Sequence, residues 1–421
     1  MTVGPPPAIA GATPPIPKSR GRCRKADMMR YSRTCTLLGG VSCFVLGSAG
    51  CLPGSDTGDP VTASSSDPSA LSVIPSVIPD EPALMVADHE LGATHSSLPT
   101  PPVDHIPRPS GRPENLRVLD WAGFRGAVSY TFDDSQPSQI EHYAELQAAG
   151  VPMTFYLSSG WADTSPLYEA TWRRAVRDGH EIGNHTVHHC MADLTGCAIG
   201  TPLADPLAEI DVNTAYITEH TRQRTVPTMA SPFGDANWDA IAKQRVFLHR
   251  DVFQGLVAPN DNTDPFHLPC FMAGAPEFGG IDDQQSTFEG LIDTSRTSDT
   301  WLIFLFHTIL PTTNNWFGPV DIGAITGSMQ HARSLRDVWV DTMLEVGAYW
   351  RAQKVFSALT PITIGPVTIW TWRLPDHFPR GKFLRVQVDG GTLHQLRGPL
   401  VWNRHGYYEV SLDAGVLILT P

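Results

Sequence analysis

The sequence predicts an α/β fold, an α/β barrel or a related distorted barrel, followed by a small all-β appendage. Three observations predict it. Apolar strand-like runs alternate with amphipathic helical patterns over residues 116–355. Glycine, serine and proline separate the runs. After Phe356 the helical patterns stop and short alternating strands take over.

The elements follow in order. Gly126-Ala-Val-Ser-Tyr-Thr-Phe132 reads as a buried strand that ends at Asp133-Asp134-Ser135. Ser138-Gln-Ile-Glu141 fits a capping box for a helix in which Ile140, Tyr143 and Ala144 share a face, and Gly150 suits its stop. Val151 to Leu157 is a second strand. Ser165-Pro166 opens a second helix through Trp172 and Val176, which Gly179 closes. His180 to Asn184 is a third strand, with further strands expected at 225–230, 246–249 and 301–306 and helices near 206–220 and 334–353. Repeated strand–helix units imply parallel strands with helices outside. Beyond Phe356, strands are expected at 367–372, 383–388, 407–412 and 416–419, with turns at Asp389-Gly-Gly391 and Asp413-Ala-Gly415. Trp370, Trp372 and Trp402 in this appendage suit sugar stacking, but filling the appendage core is the stronger reading.

The domain plan is an N-terminal extension and export segment over 1–51, a Pro/Ser/Thr-rich linker over 52–115, a catalytic domain over 116–355 and the β-rich domain over 356–421. Arg30 and Arg33 precede an apolar run from Thr36 to Gly50 that has signal-peptide length and is too short to span a membrane. Export to the cell envelope or the medium is therefore expected. Cys51 resembles the lipidated cysteine of bacterial lipoproteins, although Ser48 stands where such signals usually carry Leu, so membrane attachment is expected only through a lipid there. The basic, proline-rich stretch before Met28 suggests translation from Met28 or Met29. The linker is too polar to offset its ordering entropy. Without the residues before 51 and with Cys51 lipidated, Cys190, Cys197 and Cys270 remain; a Cys190–Cys197 bridge and free buried thiols both fit.

Composition narrows function. Hydrophobic residues make up 41% and charged residues 17%, as in globular proteins, and the net charge of −13 argues against a nucleic-acid partner. Three polar clusters interrupt apolar strand ends, the positions that form the active-site face of parallel barrels. Asp133-Asp134 are adjacent carboxylates that point in different directions as the chain leaves a strand. His185-Thr-Val-His-His189 places His185 and His189 four apart, on one face of a helical turn. His307 directly follows the strand Trp301–Phe306. Alone, each has a bland reading: a helix cap, a surface helix face, a structural histidine. Together, one carboxylate and two imidazoles make a catalytic zinc set with positions left for water or substrate. The histidine pair lacks the Glu that follows the first His in the common zinc-peptidase helix, which disfavours a metallopeptidase.

Thr131-Phe-Asp-Asp134, His185-Thr-Val-His-His189 and Ile303-Phe-Leu-Phe-His307 resemble, in order and spacing, three motifs of the NodB-homology polysaccharide deacetylases, carbohydrate esterase family four. The resemblance covers about residues 120–310. It implies a distorted (β/α) barrel and a divalent metal, usually zinc, held by Asp134, His185 and His189. Asp133 would be the general base and His307 the general acid, with Leu305 lining an acetyl-methyl pocket and Pro232, Phe233 and Gly234 binding substrate. Tyr156 and Trp161 suit the groove, though core packing is the stronger reading for both. The implied partner is an acetylated carbohydrate: chitin-like, peptidoglycan or xylan. The runner-up is a catalytically weak, metal-containing carbohydrate-binding protein of the cell surface.

Departures from the family pattern matter. In Ala230-Ser-Pro-Phe-Gly234, Ala230 stands where the family carries the Arg that orients the base, and Arg250 from the next strand is a candidate substitute. Ser135 stands where many relatives have Gly. The acidic-aromatic motif that usually supports the His307 equivalent has no clear match.

Overall fold

The computed structural model describes residues 96–421, which lie within one compact unit, Leu84–Pro421. The export segment, the lipid anchor at Cys51 and most of the expected linker lie outside the described residues.

The chain begins with β1 (Arg117–Val118), β2 (Ala127–Phe132), α1 (Pro137–Glu141), α2 (Tyr143–Ala148), β3 (Thr154–Leu157), α3 (Tyr168–Arg177), β4 (Glu181–Asn184), α4 (Pro206–Thr221) and β5 (Thr228–Ala230). Then come α5 (Asp239–Ala242), β6 (Leu248–Arg250), β7 (Phe271–Met272), α6 (Gln285–Thr297), β8 (Trp301–Phe306), β9 (Ile309–Leu310), β10 (Val320–Asp321), α7 (Ile322–Ser334), β11 (Trp339–Val340) and α8 (Met343–Ser357). The C-terminal strands are β12 (Ile362–Ile364), β13 (Val367–Thr371), β14 (Phe383–Gln387), β15 (Thr392–Gln395), β16 (Gly398–Pro399), β17 (Tyr408–Ser411) and β18 (Val416–Thr420).

The central sheet is parallel in the order β6-β5-β4-β3-β2-β8-β7, with β11 pairing the start of β2 while β3 pairs its end. It curls into an incompletely closed barrel, and a single parallel bridge, Arg250 to Leu268, continues it beyond β6. Every residue of β2 and β8 is buried, as strands covered on both faces require. Side chains alternate between two cores. Val128, Tyr130, Phe132, Leu302, Phe304 and Phe306 pack outward under the helices. Ala127, Trp301, Ile303, Leu305, Leu248 and Ala230 pack inward.

Helix ends follow their capping chemistry. Asp205 accepts from the Ala208 amide, 2.9 Å away, with Pro206 opening α4. Thr342 accepts from the Glu345 amide at 3.2 Å to start α8. Three helical expectations are corrected. The first helix starts at Pro137 and breaks at His142, so Ser138 lies inside it and its hydroxyl instead accepts from the Ile309 amide. The helix expected over 334–353 begins only at Met343, because α7 ends at Ser334, Trp339-Val340 pairs with β2 and Thr342 caps the new start. The turn expected across 185–189 is a loop, described below.

The C-terminal strands form a five-stranded antiparallel sheet, β12-β13-β18-β15-β16, and a three-stranded one, β1-β14-β17. Consecutive strands β14 and β15 lie in different sheets, as do β17 and β18. The glycine turns at 389–391 and 413–415 are thus sheet crossings, not hairpins. Their buried residues join the inward core of the barrel: Trp370, Leu384, Val410 and Leu417 cluster with Trp301, Trp350 and Phe356. Residues 96–115, expected as the end of the linker, run against these strands. There the Ile106 amide donates to Arg404, the Trp402 indole donates to Ile106, and the Gly111 amide donates to Asp389. Trp370 is buried, Trp372 packs on Phe356, and Trp402 packs edge-on against Tyr408, so the three tryptophans serve the fold.

Candidate active site

Strand alternation aims the chemistry. Ser129 and Thr131 face inward, and Asp133 continues their row past the end of β2. Glu181 and Gly183 do the same for His185, Ile303 and Leu305 for His307, and Leu248 for Arg250. Four polar groups from β2, β4, β6 and β8 therefore converge at the C-terminal mouth. Asp133, His185 and Arg250 are at most 2% exposed, and His307 is 8% exposed.

Asp134 and His189 reach the mouth by backbone reversals. Asp134 and Ser135 take φ of 72° and 55°, as do Thr186 and His189 at 65° and 51°, turning residues that would otherwise face away. The loop after β4 is not helical because side chains take up its amides. Asn184 accepts from the Thr186 amide, and the buried Glu209 carboxylate accepts from the Val187 and His188 amides and pairs with His188 Nδ1 at 2.9 Å. A Cys190–Cys197 disulfide closes the next segment, and the Ala198 amide donates to the His189 carbonyl. Cys270 is buried and unpaired, and burial pushes its thiol up to about 12.

Asp134, His185 and His189 bring one ligand atom each within 4.8 Å of one another. Asp134 Oδ1 lies 3.3 Å from His185 Nε2 and 3.2 Å from His189 Nε2, yet this buried oxygen has no hydrogen-bond partner. His185 Nδ1 faces the Ala230 carbonyl at 2.9 Å; a carbonyl only accepts, which leaves Nε2 its lone pair when the ring is neutral. Burial opposes ionisation of Asp134, but the nearby imidazoles of His189, His185 and His307 outweigh it and hold the carboxyl well below its ordinary range. Burial likewise opposes charge on His185, and Asp133 and Asp134 outweigh it and raise its pKa. The site is built to hold positive charge among these atoms, and the donor set fits a divalent metal.

Asp133 has a separate partner. Arg250 Nη2 donates to both of its carboxylate oxygens. Ala230 and Arg250 are register partners on neighbouring strands, so the small side chain at 230 leaves the guanidinium room to cross the lumen. Arg250 lies over the Tyr156 ring at 5.3 Å, and that ring in turn needs Gly183, where a Cβ would come within 2.3 Å of it. Tyr156 is therefore core, as its stronger reading held.

His307 Nε2 stands 4.0 Å from Asp134 Oδ2, and its Nδ1, buried and without a hydrogen-bond partner, faces no carboxylate support. Phe317 packs edge-on against its ring at 4.9 Å. Burial lowers the His307 pKa, with Asp134 and Asp133 offsetting part of the effect. Leu305 is fully buried on the inward face. Pro232 is buried, while Phe233, at φ 58°, is 49% exposed and meets the His189 ring at 4.4 Å. Gly234 backs onto Val252. Trp161 packs 5.3 Å from Trp316, itself 41% exposed, so this indole edges the mouth. Supporting residues without a sequence motif are Gln139, whose amide donates to the Asp133 and His307 carbonyls, and Gln136, which donates to Asp134 Oδ2. Glu209 belongs with them: in sequence it is an ordinary acid in the first turns of a helix.

Residues 124–247 match the family model described as polysaccharide deacetylase. Among solved structures, the chain is similar to a Mycobacterium smegmatis protein assigned as a polysaccharide deacetylase, at 18% identity and TM-score 0.40, over 62% of this chain and 98% of that one. It is also similar to the family 4 carbohydrate esterase PdaA of Bacillus subtilis, at 14% identity and TM-score 0.35, over 55% and 84% of the two chains. A family 4 carbohydrate esterase of Bacillus anthracis aligns at 18% identity and TM-score 0.33, over 55% and 86%. A search of curated proteins finds no match.

Proposed function

We propose, from the premise that residues 124–247 carry a polysaccharide deacetylase domain, that this protein is an exported hydrolase removing acetyl groups from a carbohydrate polymer or oligomer. One observation carries the reading: a paired carboxylate, a metal-type triplet and a facing imidazole meet at one barrel mouth.

Asp134, His185 and His189 would hold a divalent metal, zinc suiting one carboxylate and two imidazoles best. Such an ion lowers the pKa of bound water and polarises the acetyl carbonyl. Asp133 takes the proton of the attacking water, and Arg250 fixes the direction of its carboxylate. His307 gives a proton from Nε2 to the departing amine or alcohol; burial lowers its pKa, which makes the protonated ring a stronger acid. The exposed Phe233 and Trp316 offer apolar ring faces for sugars beside the reacting groups. The fully buried Leu305 suits the floor of an acetyl-methyl pocket.

The carbohydrate-binding alternative rests on the absence of Arg at position 230 and on the C-terminal strands as a binding appendage. Arg250 faces Asp133 in its place, which favours hydrolysis. The test is acetate release by the full chain, stripped of metal and restored with zinc, from N-acetylglucosamine oligomers, peptidoglycan and acetylxylan. Release that needs zinc and falls about a hundredfold to ten-thousandfold in Asp133→Asn is expected. Glycan binding without release from any substrate would favour the alternative.

A further inference from the structure

A second cluster lies outside this site. Asp239 opens α5, Asp251 directly follows Arg250, and His267 lies in the loop between β6 and β7; each brings one ligand atom within 4.8 Å of the others. Asp251 is 3% exposed, whereas the side chains of His267 and Asp239 are 40% and 27% exposed, which gives an ion a way in.

The contacts have ion-pair distances without hydrogen-bond direction. His267 Nδ1 lies 2.9 Å from Asp239 Oδ2 and 3.0 Å from Asp251 Oδ2, yet it is a buried atom hydrogen-bonded to neither. Ligands bound at about 2.1 Å in adjacent octahedral positions lie about 3 Å apart, with the ring nitrogen aimed between its neighbours at the ion. Asp239 Oδ1 is a second buried atom without a hydrogen-bond partner. His249 Nδ1 lies 3.2 Å from that oxygen, within ion-pair distance, but its hydrogen bond goes to the Phe266 carbonyl and its Nε2 meets the Ser231 hydroxyl, both at 2.9 Å. The Asp134 site has the same signature, ring nitrogens about one ligand edge from a carboxylate oxygen with no hydrogen bond between them.

We propose that Asp239, Asp251 and His267 form a second site for a small divalent cation. One imidazole and two carboxylates suit a first-row ion such as zinc or manganese. The bound ion ties α5 and the 264–268 loop to the end of β6, the strand that carries Arg250. Phe253, stacked on His267 at 4.6 Å, holds the ring in place.

The site stands apart from the deacetylase reading, and its test disables the first cluster. The full chain, stripped with chelator and dialysed against zinc, is counted for metal by mass spectrometry. Two equivalents are expected for the wild type and one for Asp134→Asn combined with His189→Ala. Adding His267→Ala should leave none, and its loss of metal should be matched by Asp239→Asn, with unchanged circular dichroism showing that the fold persists. Zinc should raise the Tm of the double variant and not that of the triple. A double variant that holds no zinc, or a count that His267→Ala and Asp239→Asn leave unchanged, overturns the proposal.

Discussion

Removing the Arg250 guanidinium leaves the Asp133 carboxylate buried without the cation that faces it. Arg250→Ala is therefore expected to lower turnover about a hundredfold while zinc content stays at the wild-type level, since Asp134, His185 and His189 are untouched. Arg250→Lys should not restore it, because a single ammonium reproduces neither the planar donors nor the stack on Tyr156. Steady-state kinetics with metal analysis checks both, and a Lys variant at wild-type rate would refute the geometry. At this scale Asp133, Asp134 and His307 were legible because they stand directly beyond apolar runs, and His185 and His189 through their spacing in a polar cluster. Arg250 was legible only through the gap at Ala230. Gln139 and Glu209 carried no signal, since their partners, backbone atoms and the His188 ring, are brought near only by folding.

The loop after β4 and the strand itself make two predictions at the scale of elements. The Cys190–Cys197 bridge closes a loop of sequence separation 7, for which chain entropy gives about 2–3 kcal/mol. Replacing both cysteines by serine should lower stability by that amount in denaturant titration and weaken zinc retention, because the bridge begins beside His189. Glu181 accepts hydrogen bonds from Thr154, Thr228 and the Leu344 amide, tying β3, β4 and β5 to α8. Burial raises its pKa from 4.5 to about 7. Between those values the folded chain keeps a proton that the unfolded chain has released, so this contribution is complete below pH about 4.5 and is lost as pH rises through about 7. The Tm of Glu181→Gln minus that of the wild type should therefore rise from pH 5 to 7.5 and level off above. A flat difference would show that Glu181 is already ionised when folded.

Across the whole molecule the barrel and the C-terminal strands share one core, and Arg385 on β14 is the polar tie. It is 1% exposed, donates to the carbonyls of Leu98, Pro99 and Ala122, pairs with Glu409 and stacks on Tyr407. Arg385→Ala should cost about 3 kcal/mol, because three carbonyls and a carboxylate lose a charged donor, and denaturant unfolding should show one shifted transition. Two transitions would mean that the appendage folds by itself. By itself the sequence determined the parallel α/β barrel and pointed to Asp133, Asp134, His185, His189 and His307 as candidates, because burial on two faces writes continuous apolar runs and polar clusters stand out against them. Only the tertiary structure decided that the glycine turns cross between sheets, that residues 96–115 lie against the C-terminal strands, that the histidine loop is not helical, and that Arg250 serves Asp133. Each of those depends on partners distant in sequence, whose pairing local pattern does not encode.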